Sequence, residues 1–363
     1  MINRKIQSPL LLIILFFLLG SNTLYAGLSK EVDVAIVAIK FSEDTSQSYG
    51  YDDFTNNNIP YKSVKIGGTD NVKAEIKPTS ASNDIFFQST NTGNVTVTPE
   101  HANSANLSLT LKGIAKGASD VDSKAGSKTG TTISTLKVAS YNERSKTLAV
   151  RLVHEDNDDL QKTPVGTASN SCVESGTNNR RDTNPSGDDT VSGEDITSGP
   201  DGVCDTTANN TDILSTDINL TSLTNSLNTK FYNQSVVKWT VKRLPTMTVN
   251  FDLNRDGMID VSSWMAAEMQ VIRDNCSDNG YDHNIFLVNN PNDGSCGFMD
   301  YNQRYGYVHL DNSIDYNNTI AHELGHGGFG LLHTTPDRDN IMYDYNSATA
   351  WRLRKDQWDK CNP

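Results

Sequence analysis

The chain has 363 residues, enough for two ordinary domains with their own cores. It carries 31 basic against 44 acidic side chains, a formal net charge of -13. Acidity of this degree repels nucleic-acid phosphates and anionic lipid surfaces, which excludes both as main partners.

Residues 1–26 read as an export signal. Arg4 and Lys5 give a basic start, Pro9 to Leu19 form an unbroken apolar run, and a polar stretch leads to the small residue Ala26. That run is short for a membrane span, and no later segment is apolar enough to cross a bilayer. The expectation is a secreted or extracellular (or cell-surface) protein with no stable membrane insertion once the signal is removed. Five cysteines, at 172, 204, 276, 296 and 361, are then free to form disulfides. Sequence neighbours suggest Cys172 with Cys204 and Cys276 with Cys296, leaving Cys361 over, although spacing alone does not fix connectivity.

Residues 27–132 read as an all-β module. Val32–Phe41, Val95–Thr98 and Leu107–Leu111 are β-branched or alternating, with Gly, Asn and Ser clusters between them. The pattern predicts an Ig-like sandwich serving as spacer, pro-region or binding module. The lone His101 reads as a surface residue. Residues 133–363 are expected to form a second, α+β domain, opened by strands at Ile133–Ala139 and Thr147–Val153. An Asp/Gly/Asn-rich insertion at about 155–211 interrupts it. Its recurring acids on Gly-bearing turns suit Ca²⁺, or equally a solvated insertion tied off by a disulfide.

Helical periodicity follows, with Leu220, Leu223, Leu227 and Phe231 on one face of a helix over about 212–232. Strands are expected at 236–241 and 246–251, and a helix at 261–275 with Trp264, Met265, Met269 and Ile272 inward. Between them, Asp252, Asn254, Asp256 and Asp260 surround Gly257 with the spacing of an EF-hand-type calcium loop, although its last position is Ser263 rather than an acid. The same residues suit a plain Asp-Gly turn. Short strands at 284–288 and 306–310 lead to a motif helix, and 346–360 reads as a closing helix with Trp351 and Trp358 in the core.

The chemistry concentrates in Ala321-His-Glu-Leu-Gly-His-Gly-Gly-Phe-Gly-Leu-Leu-His333. His322 and His326 are four apart, so on a helix their rings point the same way and can share one cation. Glu323 lies beside them, placed as general base toward a metal-activated water. No Glu follows Glu323, which excludes a thermolysin-like third ligand from a later helix. Instead glycines break the helix and His333 arrives just after the turn. Asp337, Asp339 and Asp344 are competing third ligands.

The motif, together with Asn340-Ile-Met-Tyr343, resembles the metzincins, whose Met-turn forms an apolar floor beneath the metal. The resemblance covers about 133–363. It implies a metzincin-like catalytic domain holding Zn²⁺ on His322, His326 and His333, with Glu323 as base and Met342 as the Met-turn residue. It further implies an endopeptidase acting on a protein or peptide substrate. The match departs in one respect. Gly330 lies four residues and His333 seven residues after His326, one more than the usual pattern. Tyr343 and Tyr345 are near the Met-turn but neither stands two after Met342. The alternative from another class is a calcium-dependent surface or matrix-binding protein with an inactive protease-like domain.

Overall fold

The structure is a computed structural model describing residues 38–363, apart from 45, 47, 56–58, 79–83, 104–105, 156–195, 198–212, 215–217, 255–257, 263–264, 278–279, 289–290, 311–312, 314 and 345–349. The export signal, most of the insertion with Cys172 and Cys204, Asp256, Trp264 and Tyr345 lie outside the described residues. What is described is a mixed α+β protein in which strands dominate. None of its helices is long and apolar enough to cross a membrane.

Strands β1 (Ala38–Glu43), β2 (Tyr51–Asp52), β3 (Tyr61–Lys65), β4 (Thr69–Lys77), β5 (Ile85–Ser89), β6 (Val95–Thr98), β7 (His101–Ala102), β8 (Asn106–Gly113), β9 (Gly117–Ala125) and β10 (Thr132–Tyr141) form two sheets. Their orders are β1-β4-β8-β6 and β2-β3-β10-β9-β5-β7. Alternation decides what each strand buries. In β4, Val72, Ala74 and Ile76 point inward while their neighbours face out. They share one core with Phe87, Val121, Leu136 and Val138 of the second sheet, so the two sheets form a sandwich. His101 is exposed, 3.1 Å from Asp84.

Ile133–Ala139, expected to open the second domain, instead belongs to the sandwich. It lies in β10, which runs parallel to β3 and antiparallel to β9. The reason is its length. Leu136 and Val138 fill the sandwich core, while Ala139 and Tyr141 at the far end reach the next core. One ten-residue strand thus joins both cores.

After a two-residue link comes β11 (Arg144–Glu155), the spine of a third sheet. β12 (Ile196–Thr197) in the insertion pairs antiparallel with β13 (Ile213–Leu214), which stands where the helix was expected to begin. β14 (Val237–Arg243), β15 (Met247–Val249) and β16 (His283–Val288) pair parallel with β11. β17 (Gly297–Phe298) and β18 (Tyr305–His309) complete the sheet, β18 parallel to β16 and β17 antiparallel at the edge. β16 is buried along its whole length, with Ile285 and Leu287 in one core and Phe286 and Val288 in another. A continuous apolar run of this kind marks a strand covered on both faces.

Four helices supply the cover. α1 (Leu220–Leu227) continues through a wider turn, Asn228–Tyr232, into Asn233–Ser235, and buries Leu223, Leu227 and Phe231 on one face of the sheet. It starts at Leu220 because the Asn219 side chain accepts Ser222 N–H at 2.9 Å. α2 (Ala267–Asp274) buries Met269 and Ile272 on the opposite face. Met265, expected inside that helix, stands before it with φ 52°. α3 (Tyr316–Phe329) and α4 (Lys355–Cys361) join α1. α4 is shorter than the 346–360 helix expected. Trp351 and Arg352 donate their N–H groups to Asp339 O, Ile341 donates to Arg352 O, and Leu353 donates to Gln234. Those bonds hold 351–353 extended, so Trp351 is half-exposed and only Trp358 is core.

The sandwich grips α4. Asp52 accepts the N–H of Lys355 at 2.8 Å, and the Arg354 guanidinium lies 4.2 Å from the Phe54 ring centre. Tyr141 donates to Asp359 at 2.8 Å, and a Cβ on Gly50 would meet the Trp358 indole at 2.7 Å. Asp52 also accepts the N–H groups of Phe54 and Thr55. Asp52→Ala is therefore expected to cost about 1 kcal/mol, the value of a lost cap whose donors are only partly buried. Urea unfolding should report that loss in one transition shared by both cores; separate transitions would show that the two parts unfold independently.

Candidate metal centre

The site is built on α3. Asp315 caps the helix by accepting Asn317 N–H at 2.9 Å, which fixes its start. His322 and His326 then fall one turn apart. The helix ends at Gly330, whose φ of 62° is the left-handed conformation that glycine adopts at least cost. Gly330 N–H donates to His326 O and Leu331 N–H reaches back to Gly325 O, both at 2.9 Å. The first bond is that of the αL cap, in which the left-handed residue returns its amide to the carbonyl four residues back, and Leu331 is buried behind it. After this reversal His333 returns to the cluster.

Three imidazole nitrogens converge there. His322 Nε2 and His326 Nε2 are 3.1 Å apart, and each is 3.0 Å from His333 Nε2. The other nitrogen of each ring faces an acceptor. His322 Nδ1 is 2.8 Å from Ile341 O, His326 Nδ1 is 2.7 Å from Leu331 O, and His333 Nδ1 is 2.7 Å from Asp344. Those acceptors require Nδ1 to carry the proton, which leaves a lone pair on every Nε2. Burial favours the neutral form of His322 and His326, pushing them down to about 4 and about 3, with the neighbouring imidazoles adding to the effect. Three lone pairs this close repel one another unless a cation stands among them. The donor set fits a divalent ion that favours imidazole.

Among the described residues this is the group of His, Cys, Asp and Glu side chains that converges closely enough to hold a metal. The rival third ligands are engaged elsewhere. Asp337 is buried and paired with Arg352 at 2.9 Å and Arg354 at 3.3 Å. Asp339 is exposed and does not join the converging group, its backbone carbonyl receiving the 351–352 amides. Asp344 orients His333 from outside.

Glu323 is buried without a basic partner, and burial pushes its carboxyl up to about 8 against the pull of a Met299 N–H. A Cβ on Gly297 would lie 2.7 Å from Glu323 Oε1, so glycine is required where β17 crosses it. Together these elements line an open cavity of about 510 Å³ between β17 and α3. Met342 is fully buried beneath the helix, its sulfur against Gly325. Its segment is stitched by Thr334 N–H to Met342 O at 2.7 Å, Met342 N–H to Asn340 at 2.8 Å, and Asn340 to Gln357 at 2.8 Å.

The Asp252–Asp260 loop reads differently from its sequence. Asp252 is buried, and Asp260 accepts an Asn292 N–H at 2.6 Å. The acid that closes the loop is Glu268, in the first turn of α2, which accepts Leu253 N–H at 2.8 Å and Asp260 N–H at 2.7 Å. Sequence reasoning missed Glu268; its place at the start of an amphipathic helix after the Asp-Gly turn was the available signal. His309 was also missed. It is buried, with its backbone N–H on Cys296 O at 2.9 Å and Nδ1 3.0 Å from Ser295 O, and so holds the strand beside Glu323.

No family model matches the chain, and no curated protein matches it. Among solved structures, domains 4 and 5 of the S-layer protein SbsC overlap it at 20% identity, covering 22% of this chain and 45% of that one with a TM-score of 0.19. Domains 1–6 of surface layer protein SbsC overlap at 16% identity over 30% of this chain and 13% of that one, with a TM-score of 0.22. The chain spans less than half the length of these structures. Such partial overlaps leave the function to be argued from the site itself.

Two outcomes follow from this geometry. Chelator competition should show a steep loss of zinc affinity in His333→Ala and a loss of about 10- to 100-fold in Asp344→Asn, which removes only the orienting charge. Asp337→Ala, which loosens the segment whose Ile341 carbonyl and Asp344 orient two of the rings, should lower stability and lower zinc affinity much less than His333→Ala does; a zinc loss as steep as that of His333→Ala would reassign the third ligand. The second outcome concerns pH. The folded chain holds the Glu323 proton between 4.5 and about 8, where the unfolded chain releases it. Metal-free protein therefore loses stability from this group as pH rises through that window. Metal-free Glu323→Gln should match the parent near pH 4 and melt above it at pH 9 by calorimetry.

Proposed function

We propose that the chain is an exported zinc endopeptidase of metzincin-like build, an Ig-like β module followed by a catalytic domain. The observation that carries this reading is the convergence of three Nε2 atoms, each with its Nδ1 facing an acceptor, beside a buried carboxyl in an open cavity. A zinc ion held by His322, His326 and His333 would acidify a water molecule and polarise a substrate carbonyl.

The chain's own groups do the rest. Glu323 accepts a proton from the attacking water and delivers it to the leaving nitrogen, a double role that suits a carboxyl whose pKa lies near neutrality. Such a group is not a ligand, since the imidazoles already occupy the cluster. Among the described residues β17 pairs with β18 alone, so its outer edge is free. An extended peptide can add there through main-chain hydrogen bonds, which brings its carbonyl over Glu323. Protein or peptide is thus the substrate class, consistent with an acidic chain that disfavours nucleic acid. Export rests on the N-terminal sequence. The intact Glu323 favours an active enzyme over a matrix-binding protein with an inactive domain.

Glu323→Gln is the direct check. The variant should bind zinc as the parent does and lose about 100- to 10,000-fold in kcat on a casein or peptide-library substrate, the range for a removed general base. A zinc-loaded variant with full activity would refute the assignment.

A further inference from the structure

The turn after β17 holds one side chain against the histidine cluster. Gln303 N–H donates to Asp300 O at 3.2 Å, closing a four-residue turn with Tyr301 and Asn302 at its centre. Asn302 is left-handed, with φ 59°, a conformation that asparagine tolerates better than most residues. Its N–H donates to His326 O at 3.2 Å, and its side chain lies over Gly330, where a Cβ would come within 2.9 Å of Oδ1. The turn is therefore docked on the end of α3. Tyr301 crosses His326 edge-on, with ring planes 87° apart and centroids 5.2 Å apart.

Tyr301 lines the cavity and is 48% exposed. Its hydroxyl makes no hydrogen bond among the described residues. The other hydroxyl and amide side chains of the wall are engaged. Thr319 Oγ1 bonds Ser313 and the Asp315 carbonyl, Ser295 Oγ lies 3.2 Å from His309 Nδ1, and Asn318 is buried with partners of its own. Among the described residues no Lys or Arg lines the cavity. Hydrolysis of an amide places negative charge on the former carbonyl oxygen, and a preorganised donor at that point is among the largest contributions an enzyme makes.

We propose that Tyr301 is a further catalytic residue that donates a hydrogen bond to this oxyanion. The proposal rests on the peptidase reading above. In the step, the water oxygen bonds to the carbonyl carbon, its proton passes to Glu323, and the C=O π pair moves onto oxygen. Tyr301 donates a hydrogen bond to that oxygen and keeps its own proton. When C=O re-forms, the C–N bond breaks and Glu323 delivers the proton to nitrogen.

The test compares the full chain with Tyr301→Phe and Tyr301→Ala. It measures zinc content, kcat and KM on a peptide, and the affinity of a phosphinic peptide, whose tetrahedral anion mimics the charged oxygen. Tyr301→Phe is expected to keep its zinc and KM, lose about 100- to 1,000-fold in kcat, and bind the phosphinic peptide correspondingly more weakly. If Tyr301 only packs on His326, Tyr301→Phe will match the parent in both readouts and Tyr301→Ala alone will lose zinc, which overturns the proposal and spares the peptidase reading. A zinc-loaded parent that neither cleaves peptides nor binds the phosphinic peptide would overturn both.

Discussion

Three nitrogen lone pairs brought to within 3.1 Å of one another form an arrangement that no apolar core would tolerate unaided. Everything around it serves to impose it. Each ring is turned the right way by one acceptor, and two of those acceptors are backbone carbonyls, of Leu331 and Ile341. Backbone carbonyls can orient a ring only if the backbone itself is fixed. The requirement for a fixed path from Leu331 to Asp344 therefore propagates outward from the cluster.

That path is fixed by polar anchors because it has little regular structure. Asp337 ties it to Arg352 and Arg354, Asn340 ties it to Gln357, and Gln234 ties the 351–353 stretch to the end of the first long helix. Gln357 belongs to α4, and α4 is capped and flanked by Asp52, Phe54 and Tyr141 from the strands of the N-terminal half. The sandwich meets the α+β half behind the histidine cluster. Of the three roles its sequence allows, spacer, pro-region or binding module, these contacts fit none well. They fit a buttress, one whose loss would reach the histidines through α4 and the Met342 segment.

How much of this was legible in the sequence depends on the range of the interaction. His322, Glu323 and His326 lie within one helical turn, so their spacing alone predicts that two rings share a face with an acid beside them. His333 was harder. Its return requires a left-handed residue at Gly330 and a bond from Leu331 back to Gly325, a conformation that a glycine permits but does not announce. The true task of Asp337 depends on arginines fifteen and seventeen residues later, a separation that periodicity cannot read. The sequence pattern places Ile133–Ala139 at the start of the second domain because a continuous strand pattern does not reveal that its partners are β3 and β9. The closing helix was drawn too long because the amides of 351 and 352 find Asp339, and local propensity carries no record of such a competitor.

Glu323 shows how the burial around the cluster bears on a single proton. A carboxyl buried beside a glycine-bearing strand, with one backbone amide for company, is held in its neutral form in the metal-free chain. A cation on the neighbouring imidazoles changes that balance, since an opposite charge nearby favours the ionised form while burial continues to oppose it. The two influences leave the group able both to take a proton and to give it back. A more solvated glutamate would hold its charge too readily to return the proton, and a more isolated one would never ionise. The closeness of Gly297, the depth of the cavity and the convergence of the three histidines thus act on a single property, the proton affinity of one side chain.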